Sequence, residues 1–351
     1  MSKFFNSKYS ELVPYTPGEQ PKNMRYTKLN TNESPFPPSK KAIKEAAKAA
    51  KRLELYPDPE CSELVNLGAE VFGVNPSEII FTNGSDEILQ FAFMAYGEGG
   101  AVFPNITYGF YNVFAKLHSV EYKEIPLKPD FTIDVNDYIG VNKAVFIANP
   151  NAPTGIALTL SQIEEIVSSN KDNVVVIDEA YVDFGAESAV TLINKYDNLL
   201  VVGTFSKSRS MAGARLGYGI GCRELISDLN TIRYSTNPYN INRMTMAAGI
   251  GTLKDKAYTD KCCKTVIANR EYLQNELTAL QFEYLPSSAN FVFAKCDKIE
   301  GEKLYLALKE KGVLVRHFSK PLISDYLRIT IGTKKQIDIL ITAIKETIKG
   351  V

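Results

Sequence analysis

The sequence has no tryptophan and only two histidines, His118 and His317. Neither histidine is paired by its surroundings with a nucleophile or a set of metal ligands, which argues against imidazole-based triads and His-rich metal centres. Cysteine is scarce too. Cys61, Cys222, Cys262, Cys263 and Cys296 are odd in number and lack the spacing of a zinc site or a disulfide framework. They read as reduced thiols in a cytoplasmic protein, with Cys262-Cys263 as a half-buried helical pair. Excess charge of either sign is absent, with 40 basic and 40 acidic side chains. That balance speaks against broad electrostatic attraction to nucleic acid or an acidic membrane. No apolar run approaches the ~18 residues of a membrane span. The opening MSKFFNSKYSELVPY lacks the apolar core of a signal peptide. There is no internal repeat and no low-complexity tract.

What is present is a chain of 351 residues, long enough that two domains are the natural expectation. Residues 1–38 are rich in proline and lack a sustained period, and read as an arm. Residues 39–52 are rich in alanine and lysine and predict a helix with Ser39 as its cap. Tyr56-Pro57-Asp58-Pro59 reads as a turn. Short β-branched runs follow at 79–82, 101–103, 143–148, 173–178, 199–204 and 216–220. They are apolar on both faces and separated by helical stretches, the pattern of a buried, mostly parallel sheet in an α/β fold. After about residue 250 the order changes. A long helix over 256–280 precedes strands at 289–294, 313–316 and 326–331, with helices near 301–311 and from 334. That order predicts a smaller α+β domain. The expected division is an arm (1–38), a large domain (39–250) and a small domain (251–351), with the arm joining the small domain.

The polar groups at the strand ends carry the chemistry, where open α/β sheets place their ligands. Asp178 closes NVVVID. Lys207 follows LLVVGT within Thr204-Phe205-Ser206-Lys207-Ser208-Arg209. Arg215 lies eight residues further on. Asn83-Gly84-Ser85 stands between a strand and a helix. A ligand that uses all of these needs a ring nitrogen for the carboxylate and an aldehyde for the amine. It also needs a phosphate for the helix start, the hydroxyls and the guanidinium. Pyridoxal 5'-phosphate has all three. Taken singly, each residue has a plainer reading: a surface lysine, a capping aspartate, an ion-paired arginine. Tyr234, Tyr239 and Asn242 either line the pocket or form a domain junction.

Four strings occur in the order and spacing of one family: Asn149-Pro150-Asn151-Ala152-Pro153-Thr154-Gly155, Asp178-Glu179-Ala180-Tyr181, Ser206-Lys207-Ser208 and Arg215-Leu216-Gly217-Tyr218. The chain resembles the class I/II aminotransferases of fold type I over nearly its whole length. That resemblance implies a pyridoxal-phosphate enzyme with Lys207 as the catalytic lysine. Asp178 would meet the pyridine nitrogen and Tyr181 the ring hydroxyl. Gly84, Ser85, Asp86, Thr204, Ser206 and Arg215 would hold the phosphate, and Tyr108 would stack on the ring. Tyr56 would reach the phosphate of a neighbouring subunit, which implies a homodimer with shared sites. Arg328 would bind a substrate carboxylate, with Arg316, Tyr15 and Asn290 nearby.

The implied reaction is amino transfer from a donor such as glutamate to a keto acceptor. Further matches, at Pro14-Tyr15-Thr16-Pro17-Gly18, Leu29-Asn30-Thr31-Asn32-Glu33-Ser34-Pro35 and Leu327-Arg328-Ile329-Thr330, point to imidazole-acetol phosphate as that acceptor. Another phosphorylated or aromatic substrate, or decarboxylation of a phosphorylated amino acid, stays open. A non-catalytic sensor of the same cofactor is disfavoured, since no basic recognition helix is present. The chain also departs from the family. Ala152 stands where an asparagine usually touches the ring hydroxyl, so Asn151 or Asn149 takes that role or Tyr181 acts alone. Ser34 and Pro37 stand where asparagine and glycine are usual.

Overall fold

The computed structural model describes residues 2–349. Seven short segments build the central sheet: β1 (Ile79–Thr82), β2 (Ala101–Pro104), β3 (Tyr122–Ile125), β4 (Ala144–Ala148), β5 (Val175–Asp178), β6 (Leu199–Thr204) and β7 (Gly217–Gly221). Across the sheet they run β1-β7-β6-β5-β4-β2-β3. β6, β5, β4, β2 and β3 are mutually parallel. β7 runs against both β1 and β6.

Burial on both faces follows from the runs themselves. A pleated strand sends alternate side chains to opposite sides. Val145, Ile147, Val175 and Ile177 accordingly enter one core, and Phe146, Val176, Leu200 and Val202 the other. Each fully buried Val, Leu or Ile contributes roughly 1.5–3 kcal/mol. β3, with the sequence Tyr-Lys-Glu-Ile, is a strand the apolar pattern does not announce. It forms an edge of the sheet and exposes Lys123 and Glu124, charges that discourage pairing with another chain.

The second sheet comes from the last third of the chain. Phe291–Lys295 and Tyr326–Thr330 are its centre, flanked by Glu283–Tyr284 and Arg316–His317, all antiparallel. The helices Lys256–Ala279, Gly301–Glu310 and Lys334–Lys349 supply Leu273, Leu304 and Leu340 to its core. The run expected as one strand at 313–316 is divided. Arg316–His317 joins this sheet, while Val313–Leu314 pairs in parallel with Thr27–Lys28 of the arm. The arm is therefore tied into regular structure despite its prolines. Leu29 continues the tie, donating its N–H to the Leu314 carbonyl and accepting from the Thr330 N–H. Cys262 and Cys263 are both buried rather than half-buried. The reason is that their helix packs on its own sheet and on the helix Arg243–Leu253. Among the described residues, no helix is long and apolar enough to cross a membrane.

Parallel β4, β5 and β6 deliver Ala148, Asp178 and Thr204 to one edge of the large sheet. Because β7 is reversed, its first residue, Gly217, arrives at the same edge, opposite both Thr82 and Thr204.

Candidate active site

At that edge β1 turns through Asn83 and Gly84 into the helix Ser85–Tyr96. Gly84, not Ser85, is the cap. It has φ +84° and no side chain to offer, so the first N–H groups of the helix carry no side-chain cap. Two glycines allow close approach here. A Cβ on Gly84 would lie 2.6 Å from Arg215 Nη2, and one on Gly217 would lie 2.2 Å from the Ser85 nitrogen. Arg215 Nη2 donates to Asp86 Oδ2 at 2.8 Å, and the Tyr108 hydroxyl donates to Asp86 Oδ1 at 2.7 Å. The Thr204 and Ser206 hydroxyl oxygens stand 3.0 Å apart beside them. An uncapped helix start, two hydroxyls and a guanidinium make a cradle for a dianion.

Next to the cradle is a cavity of about 90 Å³, walled by Ser85, Tyr108, Asp178, Tyr181 and Lys207 among others. Asp178 is buried and, among the described residues, receives only the Ala180 N–H at 3.1 Å and the Tyr111 hydroxyl at 3.2 Å. Burial pushes its carboxyl up to about 7. A cationic N–H set against it would restore the carboxylate. Lys207 Nζ lies 3.5 Å from the Thr31 carbonyl oxygen and 5.9 Å from the centre of the Tyr181 ring. Burial, with the Arg328 charge next, brings its amine down to about 8. About a tenth of it is then a neutral nucleophile at pH 7. The Lys207 loop is clamped from behind, since Ser208 and Arg209 both donate to Asp183, two residues after Tyr181.

A second cavity of about 430 Å³ opens from the first and shares Tyr108, Ala152, Tyr181 and Lys207 with it. Arg316 and Arg328 lie on its wall. Among the described residues, their hydrogen bonds run only to main-chain carbonyls. Arg316 donates to Thr16 and Pro17, and Arg328 donates to Asn30 at 3.1 Å. Arg328 Nε is buried with no partner. Tyr15 closes one side, stacked on Phe110 at 4.2 Å. Asn290 stands behind the wall, its Nδ2 donating to the Asn32 carbonyl and its Oδ1 unpartnered.

Besides Asn290 behind the wall and Gly84 under the cradle, two expected residues are not brought to either cavity of this chain. Tyr56 is 77% exposed and stacks on Tyr239 at 4.6 Å. Asn151 requires a correction. Its Nδ2 donates to the Ile106 carbonyl and Thr154 Oγ1, and its Oδ1 accepts from the Thr107 hydroxyl. Its amide is consumed in holding the loop before Tyr108. Asn149 is likewise spent on Leu158. The amide that does reach Tyr181 belongs to Asn32, whose Nδ2 donates to the tyrosine oxygen at 2.9 Å. Tyr111 and Asn32 are the participants that strand-end reasoning misses. Asn32 lies inside the quoted Leu29–Pro35 string, so a signal for it was present. Asn242 caps the helix Arg243–Leu253 and belongs to neither cavity.

Pyridoxal phosphate fits this donor set. With no Cβ at Gly84 or Gly217 to press on Arg215 or the Ser85 nitrogen, the cradle stays open for a phosphate, and an under-bonded buried carboxylate faces a depressed lysine across the same small cavity. The α/β fold and these groups define a pyridoxal-phosphate enzyme of fold type I. The model of the family "Aminotransferase class I and II" matches residues 25–344. A histidinol-phosphate aminotransferase of Brachyspira hyodysenteriae is 52% identical over 356 residues, covering all of both chains. The structure of the histidinol-phosphate aminotransferase from Clostridium acetobutylicum superimposes with a TM-score of 0.86 at 25% identity, over 92% of this chain and 99% of that one. The Sinorhizobium meliloti histidinol-phosphate aminotransferase, solved in complex with pyridoxal-5'-phosphate, gives 0.85 at 24% identity, over 93% and 92%. The chain belongs to the class I and II aminotransferases and is a pyridoxal-phosphate-dependent aminotransferase.

Proposed function

We propose that the chain transfers the amino group between L-histidinol phosphate and 2-oxoglutarate, reversibly. The observation that carries the reading is that Arg316 and Arg328, on the wall of the larger cavity beside Lys207, donate only to main-chain carbonyls and form no ion pair among the described residues. Both substrate pairs of this reaction need such a wall, one for a phosphate and the other for carboxylates. The relative that is 52% identical over its full length and is named for this activity supports the same substrate.

Bound pyridoxal phosphate supplies an electron sink that acidifies the C–H bond at the amino-bearing carbon. The remaining work falls to the chain. Lys207 Nζ is the base that takes this proton, a role supported by its depressed basicity. Asp178 holds the ring nitrogen's proton. Tyr181 donates to the ring oxygen and Tyr108 covers the ring face. The Gly84–Asp86 helix start, Thr204, Ser206 and Arg215 hold the phosphate. Arg328, Arg316 and Tyr15 orient the substrate, with Asn290 behind them. The arm (1–38) and residues 251–351 act as one unit around the second sheet, and residues 39–250 as the other.

The active form is a homodimer in which Tyr56 reaches the partner's phosphate site. Support comes from its 77% exposure and its stacking on Tyr239 outside both cavities of its own chain. A cytoplasmic setting is consistent with five free cysteines, four of them buried.

The test is a visible absorbance titration of the cofactor-loaded protein with L-glutamate, L-histidinol phosphate, L-phenylalanine and O-phospho-L-threonine, each in its own cuvette. Bleaching by both glutamate and histidinol phosphate is expected. Bleaching by glutamate without histidinol phosphate would reject the substrate. Carbon dioxide released from phosphothreonine, with no bleaching, would reject amino transfer.

A further inference from the structure

We infer that Asn32 is a positioning residue for Tyr181, fixing which way the tyrosine hydroxyl directs its proton; the inference rests on the role given to Tyr181 above. Asn32 is buried, with φ +56°. That left-handed conformation strains most side chains and is tolerated by asparagine. Every polar group of the residue is engaged. Its N–H donates to Thr330 Oγ1 at 2.9 Å, and its carbonyl accepts from Asn290 Nδ2 at 3.0 Å. Its Oδ1 accepts from the Thr330 hydroxyl at 3.0 Å, and its Nδ2 donates to the Tyr181 oxygen at 2.9 Å.

These bonds fix the sense of the amide. The Thr330 oxygen already accepts the Asn32 N–H, and its own proton needs an acceptor. Oδ1 provides one, which leaves Nδ2 for Tyr181. If the amide were reversed, the threonine oxygen would face two donors and its proton would have no acceptor.

The consequence lies in the direction of the Tyr181 proton. A hydroxyl that accepts from an amide cannot spend its proton on the same group, and Tyr181 faces both cavities. Its O–H therefore points into the site, and accepting one hydrogen bond strengthens the one it donates. Across the cavity, position 152 offers only a methyl group, and Asn149 and Asn151 are committed elsewhere. The amide that polarises this tyrosine thus comes from the arm. The preceding residue, Thr31, also presents its carbonyl to Lys207 Nζ. One short segment of the arm thereby touches both the tyrosine and the lysine.

The experiment is a pH titration of the visible band of the cofactor-loaded protein, whose midpoint reports how strongly the ring oxygen is stabilised by a donor. Asn32→Ala removes the amide. The midpoint is expected to rise by about half to one unit, the worth of a typical hydrogen bond. Asn32→Asp keeps the size, the tolerance for the left-handed backbone and the Thr330 contact, but its carboxylate accepts where the amide donated. It draws the Tyr181 proton away from the cavity, so its shift is expected to exceed that of Asn32→Ala. A purely structural role predicts the reverse order, since aspartate disturbs the fold less than alanine. In a Tyr181→Phe background the Asn32 substitutions should add nothing. Midpoints for both single variants within 0.2 units of wild type, taken as roughly the scatter of such titrations, would overturn the inference. So would undiminished Asn32 effects in the Tyr181→Phe background. An unmoved midpoint in Tyr181→Phe itself would instead reject the role given to Tyr181.

Discussion

Gly217→Ala places one methyl group where the geometry leaves no room for it. The added Cβ would lie 2.2 Å from the Ser85 nitrogen, 2.4 Å from the Gly84 carbonyl carbon and 2.7 Å from Ser85 Cα. All three are backbone atoms, so no side chain can rotate aside. The helix start must retreat by about 1.2 Å or more before the methyl, 2.2 Å from the Ser85 nitrogen, reaches ordinary contact at 3.4 Å. Hydrogen bonds weaken steeply over such a distance. Losing one or two charge-assisted bonds to the cofactor's phosphate costs about 2–4 kcal/mol. That is a loss of about 30- to 700-fold in affinity. Overpacking costs the fold a further ~1–3 kcal/mol. The matched control is Gly219→Ala on the same strand, whose methyl meets only side-chain carbons of Ile80 and Ile88 at 3.2–3.4 Å. Equilibrium dialysis of the cofactor-free proteins against pyridoxal phosphate gives affinity, and urea unfolding of the same proteins gives stability. Gly219→Ala should bind nearly as wild type does. A Gly217→Ala protein binding within threefold of wild type would refute the claim that this close approach shapes the phosphate cradle.

Asp178→Asn should raise the melting temperature of the cofactor-free protein at pH 8. The carboxyl is raised in the fold from 3.8 to about 7, so its ionised form costs stability above pH 7, and the cost shrinks as pH falls toward 4. Melting curves across that range should show the gap between variant and wild type closing as pH falls. The rate at which cofactor-free protein develops colour with pyridoxal phosphate should follow the neutral amine of Lys207. It should be half-maximal near pH 8 and fall about tenfold per unit below that, and a rate still climbing steeply at pH 10 would contradict the depressed amine.

The large sheet is legible because its strands are buried on both faces. Runs such as Leu199–Thr204 carry their own signal, and the polar residues that end or closely follow Val175–Asp178 and Leu199–Thr204 mark the ligand edge. Asp178 and Lys207 stand out for that reason. β3 is hidden because an edge strand serves solubility with Lys123 and Glu124 and so loses the apolar signature. Tyr111 is hidden differently. In Phe-Tyr-Asn-Val-Phe it looks like any buried aromatic of a helix, and its hydroxyl matters only because Asp178, 67 residues away, comes to meet it. Asn151 misleads for the converse reason. Its place in the motif is right, but neighbouring carbonyl and hydroxyl groups of the 106–107 loop claim its amide first. Tyr56 illustrates a further limit, since its proposed role lies between two copies of the chain.

The bond between Asn32 and Thr330 joins residues 298 positions apart, and this sets an order of events for a newly made chain. The large sheet can assemble from residues 79–221 while synthesis continues, and its edge then offers Asp178 and Lys207 to water. The arm, although made before the sheet, meets Val313–Leu314 only after that and gains its last partner only when the strand Tyr326–Thr330 exists. Only then can Thr31 and Asn32 settle against Lys207 and Tyr181. Residues made early are therefore among the last to take their places, and contacts so distant in sequence form late and slowly. Completion of the cofactor chamber is in this sense a record that the chain has been made as far as Thr330.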